Sequence, residues 1–538
     1  MLGDRKQQIA FYLFYSGLLL LVVSLPLSKF TMSISQFMLI GGWLLDGNLK
    51  EKVKSFLNNK IALLLSSVYL MHVLGLMITT DFDYAFKDLR VKLPLLLLPL
   101  IFSTAPKLTK QQFENVLLAA ISGVTISTLI SLLIFLGIVK RTVIDIRDIS
   151  IFISHIRLVL LCCLSIFISA WLIYSNKKKK PLWYTMLLCC VSAWLIVFIV
   201  LVESLTGAAI LFSGLLIFSI WFALSKGSLP IRLLVVLVLI GVPYGLYRYI
   251  DSINRSLKKT EKIDYSKLEK YTASGNEYYH FRNLEDFENG FSIWTYQCET
   301  EMEAEWNKRS KLDYSGRDLR DQELRFTLMR FLSSKGLRKD SAAVWALSDS
   351  EIKSVENGIA NVNYQQRSSI KARIHQSLWE IHQRKTLKNP SGHSVSQRFE
   401  YWDTAMGIIK QHPFVGVGTG DVPDAFKHQY EIMNSSLAKE WRLRSHNQYL
   451  SMAVAFGIPG LIWFSFSLLM PLLIQVRKKD LLYSAFALVS IISMFTEDTL
   501  ETQAGVTFFA LFTSLFLFIN PLNSSIGGNS NLIARVED

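Results

Sequence analysis

The sequence predicts an all-α, polytopic membrane protein of about 12 transmembrane helices, with a large helical insert on the outer side between the ninth and the tenth. Three observations carry this. Apolar residues make up 51% of the 538, more than a soluble core requires. They gather into about twelve runs near the ~20 residues that cross a bilayer, centred near Leu18, Ile40, Val68, Leu98, Ile126, Leu164, Trp194, Leu215, Leu237, Phe464, Leu488 and Leu511. Lysine and arginine concentrate in alternate short connections, where they orient spans.

In chain order, the run from Ile9 to Ser24 follows Arg5 and Lys6 as a signal peptide would. No small-residue cleavage site comes after it, so it reads as a retained first span. The second, fourth and eleventh runs are short. The expected cytoplasmic connections are Asp46 to Lys60, Pro106 to Asn115, the Lys177 to Lys180 cluster, Ser225 to Arg232 and Arg477 to Asp480. They place both termini inside and the insert outside, which in a bacterial inner membrane is the periplasm. The expected division is a membrane region of about nine spans at 1–250, a periplasmic helical loop domain at 251–447, about three further spans at 448–521, and a cytoplasmic tail at 522–538.

The insert is large enough for a small core of its own. Its pattern is helical: Ser348 with Glu351 forms a capping box, and Ile370, Ile374, Leu378 and Ile381 recur at helical spacing, as do Phe399, Trp402, Met406 and Ile409. No strand alternation or repeat is visible, and a helical cap over the spans is expected. Trp294, Trp306, Trp345 and Trp379 read as core residues, with stacking on sugars as the alternative.

Composition also excludes functions. The net charge of +14 lies largely in loops between apolar runs, so it orients the protein and does not imply a nucleic-acid partner. Cys162, Cys163, Cys189 and Cys190 lie in apolar runs, leaving Cys298 alone in the polar region; no zinc spacing or disulfide follows.

Chemistry concentrates between Ser396 and Gly460. A helix led by Arg398 and carrying Trp402 ends at Pro413, and the turn Gly416-Val417-Gly418-Thr419-Gly420 follows. Arg442, Arg444 and His446 then precede Asn447, Tyr449 and Leu450 at the head of an apolar run that contains Gly457 and Gly460. The glycine turn can point backbone N–H groups at a phosphate, but it lacks the Lys-Ser or Lys-Thr of a P-loop and follows no strand. Its plainer reading is a tight turn that lets Phe414 and Val415 dip toward the membrane. His446 can act as a base or simply hydrogen-bond a loop carbonyl. The Asp81-Phe82-Asp83 triplet offers two carboxylates to a divalent cation, though such triplets recur by chance. Glu497, Asp498 and Glu501, on the last outer connection, can orient the histidine or pair with the arginines; the simpler reading is a solvated hairpin.

This ordered set resembles the membrane family of O-antigen ligases and O-antigen polymerases, closely over about 65 residues and loosely over most of the chain. The resemblance implies a glycosyltransferase that moves a preassembled glycan from undecaprenyl pyrophosphate to an acceptor hydroxyl on the outer side, with no metal and no cofactor. Lipid A-core is the expected acceptor; another lipid-linked repeat (a polymerase) or a protein Ser or Thr are the alternatives. His446 and Arg398 are then the catalytic residues. Arg444, Arg442, Arg157 and Arg90 would hold the pyrophosphate charge, with Trp402, Gly418 and Asn447 completing the substrate site. The arginines can equally contact lipid headgroups. One departure stands out: where many members of that family carry a Ser-Arg pair, this chain has Ser204-Leu205. Outside that class, a span count near twelve is compatible with a transporter, but no repeat relates the halves; a scaffold for glycan assembly is the third reading.

Overall fold

The computed structural model describes residues 2–141, 143, 146–176, 180–226, 228–258, 260–284, 286–365, 370–382 and 394–521. Before the insert come α1 (Leu2–Ser24), α2 (Lys29–Leu45), α3 (Leu49–Leu57), α4 (Lys60–Leu74), α5 (Phe82–Lys92), α6 (Pro94–Thr104), α7 (Lys110–Phe135), α8 (His155–Asn176), α9 (Leu182–Leu201), α10 (Leu205–Lys226) and α11 (Leu229–Lys258). The insert holds a two-residue hairpin, β1 (Phe287–Glu288) and β2 (Phe291–Ser292), then α12 (Glu299–Arg309), α13 (Leu324–Ser334), α14 (Ser341–Trp345), α15 (Asp349–Glu356), α16 (Ile370–His382), α17 (Ser394–Gln411) and α18 (Val422–Ile432). The chain closes with α19 (Gln448–Arg477), α20 (Leu481–Thr496) and α21 (Gln503–Ser514).

Each of the twelve apolar centres falls inside a helix, yet among the described residues eight helices, α1, α4 with the turn that continues it to Ile78, α7 to α11 and α19, are long and apolar enough to cross a membrane. The remaining four, α2, α6, α20 and α21, have 17, 11, 16 and 12 residues. Proline explains one: α6 starts at Pro94, and Ala105, extended ahead of Pro106, ends it. Position explains another. The α21 helix is buried along its whole length, with Phe508, Phe509 and Phe512 ringed about Phe486 of α20. A helix encased by protein need not match the lipid thickness. The α11 helix is the reverse case, with none of its apolar window buried.

Two of the expected lysine-rich connections share one end of the bundle. Lys110 and Lys180 lie 3.5 and 3.9 Å from the buried Glu114. Lys177, Lys178 and Lys179 of that cluster, and the tail from 522 onward, fall outside the described residues.

The segment between α11 and α19 divides in two. Trp306, Leu328, Phe331, Val344 and Val355 form a core separate from the membrane core. The hairpin, pairing Phe287 with Ser292 and Glu288 with Phe291, edges it; sequence alternation could not show so short a ladder. Ser348 and Glu351 make the expected capping box on α15. By contrast, α17 and α18 contribute Tyr401, Ala405, Ile408, Phe426 and Tyr430 to the membrane core itself. They are therefore part of one end of the membrane body and hold the residues described next. Of the four insert tryptophans, Trp306 and Trp379 are buried and Trp345 is exposed, while Trp294 is half-buried with its indole N–H on Asp286.

Candidate functional site

The site begins with a loop fixed from behind. The segment from Trp441 to Ser445 presents alternate carbonyls to three aromatic donors of the cap. Tyr401 donates to Trp441 O at 2.9 Å, Tyr430 to Leu443 O at 2.7 Å and the Trp402 indole to Ser445 O at 3.0 Å. Helical spacing in α17 places Tyr401 and Trp402 toward this loop, and α18 adds Tyr430. The loop ends at His446, which has φ +46°, a left-handed conformation that costs about 1–2 kcal/mol for a residue with a Cβ. Buried Ser445 offsets that cost: its hydroxyl bonds Asn447 O at 2.8 Å and accepts from Asn447 N at 3.2 Å. Asn447 then caps α19, accepting from Tyr449 N and Leu450 N.

His446 faces the connection between α20 and α21. Its Nδ1 lies 3.9 Å from Glu497 Oε2 and 3.8 Å from Asp498 Oδ1, and Arg398 lies 3.7 Å from the other Glu497 oxygen. Glu497 and Asp498 are 8% and 7% exposed. The solvated hairpin is thus a correction: these carboxylates are buried because a histidine and an arginine, distant in sequence, close over them. Burial alone would lower the His446 pKa, but Glu497 and Asp498 outweigh it and raise the pKa, against the opposing charge of Arg398. Burial also raises Asp498, with His446 and Arg444 opposing. The ligand atoms of His446, Glu497 and Asp498 lie within 4.8 Å of one another, close enough to hold a divalent cation. Arg398 already brings positive charge to that spot.

A second cluster adjoins the first. Arg444 donates to Glu501 Oε2 at 2.5 Å, and Lys92 donates to the same oxygen at 2.9 Å. Lys92 also donates to both Asp88 oxygens at 2.6 and 2.8 Å. Burial would raise the Glu501 pKa; Lys92 and Arg444 overcome it and hold the carboxylate well below its ordinary range. His72, Tyr84, Thr419 and these charges line a common recess. The sequence signal for Lys92 was its i,i+4 spacing from Asp88 on α5, which reads as a surface pair until α5 is known to be packed inward.

The other candidates divide by what they touch. Arg442 donates to Leu437 O and Ser435 O and so braces its own loop. Arg90 is exposed on α5. Arg157 donates to Ser154 Oγ at 3.2 Å and lines a recess with Thr499. Asp81 caps α5 through Tyr84 N, Asp83 is exposed, and Asp421 receives the Thr80 and Asp81 N–H groups; the triplet is a helix start. Leu205 opens α10, and its neighbour Thr206 meets Thr496 at 3.3 Å, which sets the departing position beside Glu497.

The glycine turn packs; its amides are not presented to a ligand. Val417 N and Gly418 N donate to Val454 O and Ala455 O at 3.0 and 2.9 Å, and Gly420 N to Thr79 Oγ1 at 3.1 Å. Those two carbonyls are free because α19 breaks at Gly457, at φ 68° and ψ −172°, a backbone region open essentially to glycine. Phe414 and Val415 are left exposed at 78% and 62%, as the plainer reading expected. A Cβ on Gly457 would lie 2.6 Å from Phe414 C. Gly457→Ala is therefore expected to cost at least about 1–3 kcal/mol, read as a lower thermal midpoint of the purified protein; an unchanged midpoint would refute the break.

Residues 342–465 match the sequence profile of the family described as O-Antigen ligase. The match spans α14 to the first half of α19 and takes in Arg398, Trp402, Gly418, Arg444, His446 and Asn447. No curated protein matches the chain. The profile supports the O-antigen ligase family and a ligase-type glycosyltransferase activity in general, carried by a protein with several membrane-crossing helices.

Proposed function

We propose that this protein transfers a preassembled glycan from undecaprenyl pyrophosphate to a hydroxyl of lipid A-core at the periplasmic face of the inner membrane. The observation that carries the reading is the convergence of His446 and Arg398 on one buried carboxylate, Glu497. With Nδ1 turned to Glu497 and Asp498, Nε2 of His446 is the atom that takes the acceptor's proton. The acceptor oxygen bonds the anomeric carbon as the bond from that carbon to the pyrophosphate oxygen breaks. The pyrophosphate leaves with the electron pair, and Arg398, with Arg444 behind it, balances the added charge. The carboxylates stabilise the imidazolium formed during attack.

The experiment is the lipopolysaccharide profile of cells lacking the protein. Loss of all attached glycan, with lipid-linked glycan accumulating, is the ligase result. A single attached repeat would make the enzyme a polymerase, and an unchanged profile would redirect the search to glycoproteins.

A pH dependence follows. Transfer needs neutral His446, so it falls as pH drops through the histidine pKa, which the carboxylates hold above ~6.5. Removing one negative neighbour lowers that pKa, so in Glu497→Gln the acid limb of the pH profile moves to lower pH. A limb that stays in place would show that Glu497 does not act through His446.

A further inference from the structure

Glu497 and Asp498 are loosely held for buried carboxylates. Arg398 stands 3.7 Å from one Glu497 oxygen, and His446 Nδ1 stands 3.9 Å from the other and 3.8 Å from Asp498; none of these separations is a hydrogen bond. Glu501 is the contrast, with Lys92 at 2.9 Å and Arg444 at 2.5 Å on one oxygen. Asp498 is the sharper case. It is 7% exposed, its carboxylate accepts no hydrogen bond among the described residues, and its one ion-pair contact there is the imidazole. Burying a carboxylate without a partner is costly, so an orphan aimed at a histidine and a second carboxylate marks a place that a ligand completes.

The donor set says which ligand. The three groups offer one imidazole nitrogen and two carboxylate oxygens, all within 4.8 Å of one another. Neighbouring ligands of a tetrahedral zinc site, with bonds of ~2.0–2.1 Å, lie roughly 3.3 Å apart, so the observed 3.8 and 3.9 Å need only a small closure to grip an ion. A nitrogen in the set favours zinc and its neighbours over magnesium, which prefers oxygen ligands throughout and keeps its waters. Charge points the same way. Two carboxylates meet a single guanidinium, Arg398, while Arg444 is taken up by Glu501, and Arg398 has 31% of its side chain exposed, leaving it solvent to turn into when a divalent ion arrives.

We propose that His446, Glu497 and Asp498 bind a transition-metal ion of the zinc type, with water in the fourth position, and that this ion switches transfer off. The switch follows from the tautomer. In the transfer step the imidazole carries its proton on Nδ1 and accepts at Nε2. A metal on Nδ1 uses that nitrogen's lone pair, so the ring proton moves to Nε2, which then has no lone pair for the acceptor's proton. The ion also occupies the carboxylates that stabilise the imidazolium. It is an inhibitor, and the reaction proceeds without it. The inhibitory half rests on His446 acting as the base proposed above; the binding half does not.

The test titrates Zn²⁺ into the full-length protein in detergent, stripped beforehand with a chelator, and follows it by calorimetry and thermal midpoint. The intact chain should bind one ion, its midpoint rising with zinc concentration, while Mg²⁺ over the same range leaves the midpoint where it was. Asp498→Asn keeps the shape and removes a ligand charge. It should weaken zinc by at least the roughly tenfold that even an outer-shell partner is worth, with a metal-free midpoint unchanged or higher because the unpaired carboxylate is gone. No zinc binding by the intact chain, or binding undiminished in Asp498→Asn, would overturn the site, and Mg²⁺ binding as well as Zn²⁺ would overturn the transition-metal assignment. In membrane vesicles, transfer should fall with Zn²⁺ and return with chelator. Zinc held through Asp498 with transfer undiminished would overturn the switch. A protein that binds zinc in this way but never transfers glycan would end the transferase reading and leave the metal site standing.

Discussion

His446→Ala and Arg398→Ala are each expected to lower glycan transfer by about 10² to 10⁴-fold, the range for a positioned acid or base, at normal membrane abundance. The two substitutions differ in their side effects. His446→Ala removes a base but keeps the Cβ, so the left-handed strain is unchanged and the fold should tolerate it. Arg398→Ala takes one cation from a buried glutamate, but His446 remains beside Glu497 and can protonate to compensate. The Arg398 variant should therefore show a His446 pKa raised further, since a positive neighbour that lowers it is gone. Histidine-edited NMR or the residual pH profile reads that shift. Near-normal transfer by either variant at normal abundance would remove that residue from the mechanism.

These residues show what a sequence can and cannot disclose. His446 and Arg398 stand out as candidates because both lie in one ordered stretch ahead of a membrane helix, where titratable groups have few reasons to be, and the structure brings both to Glu497. Their common partner was not. Glu497 and Asp498 look the same in a sequence whether water or an arginine surrounds them, and only the packing of α17 over the connection decides. Arg442 braces a loop and Asn447 caps a helix, tasks that need the same polar atoms as ligand binding and that the sequence does not distinguish from it. Helix positions were readable from apolar runs at every centre, whereas helix lengths depended on Pro94, Pro106 and the enclosure of α21 by its neighbours. The glycine turn admitted two readings, a packing turn and, at Gly418, part of the substrate site; its amides are taken up by Val454, Ala455 and Thr79, a pairing across the break of α19 that no sequence pattern shows.

Lys92→Met should produce the largest loss of stability. Lys92 is 1% exposed and donates to Asp88 and Glu501 together. Removing it leaves Glu501 with Arg444 and buried Asp88 with no cation among the described residues, a change of the kind that costs about 3–5 kcal/mol. The thermal midpoint should fall accordingly, and Glu501, released on one side, should no longer anchor Arg444 as firmly. Pairing Lys92→Met with Asp88→Leu removes the cation and the carboxylate it chiefly served, leaving Glu501 with Arg444; an apolar replacement of a buried pair is commonly neutral, so most of the lost stability should return. Transfer by the stable double variant then decides what the cluster is for. If transfer returns with stability, Lys92 serves to dock α5 against the α20–α21 connection. If the double variant is stable and inactive, Lys92 supplies positive charge to the donor alongside Arg444. A Lys92→Met protein as stable as the intact chain would contradict the closed network itself, because among the described residues Lys92 is the cation that Asp88 and Glu501 share.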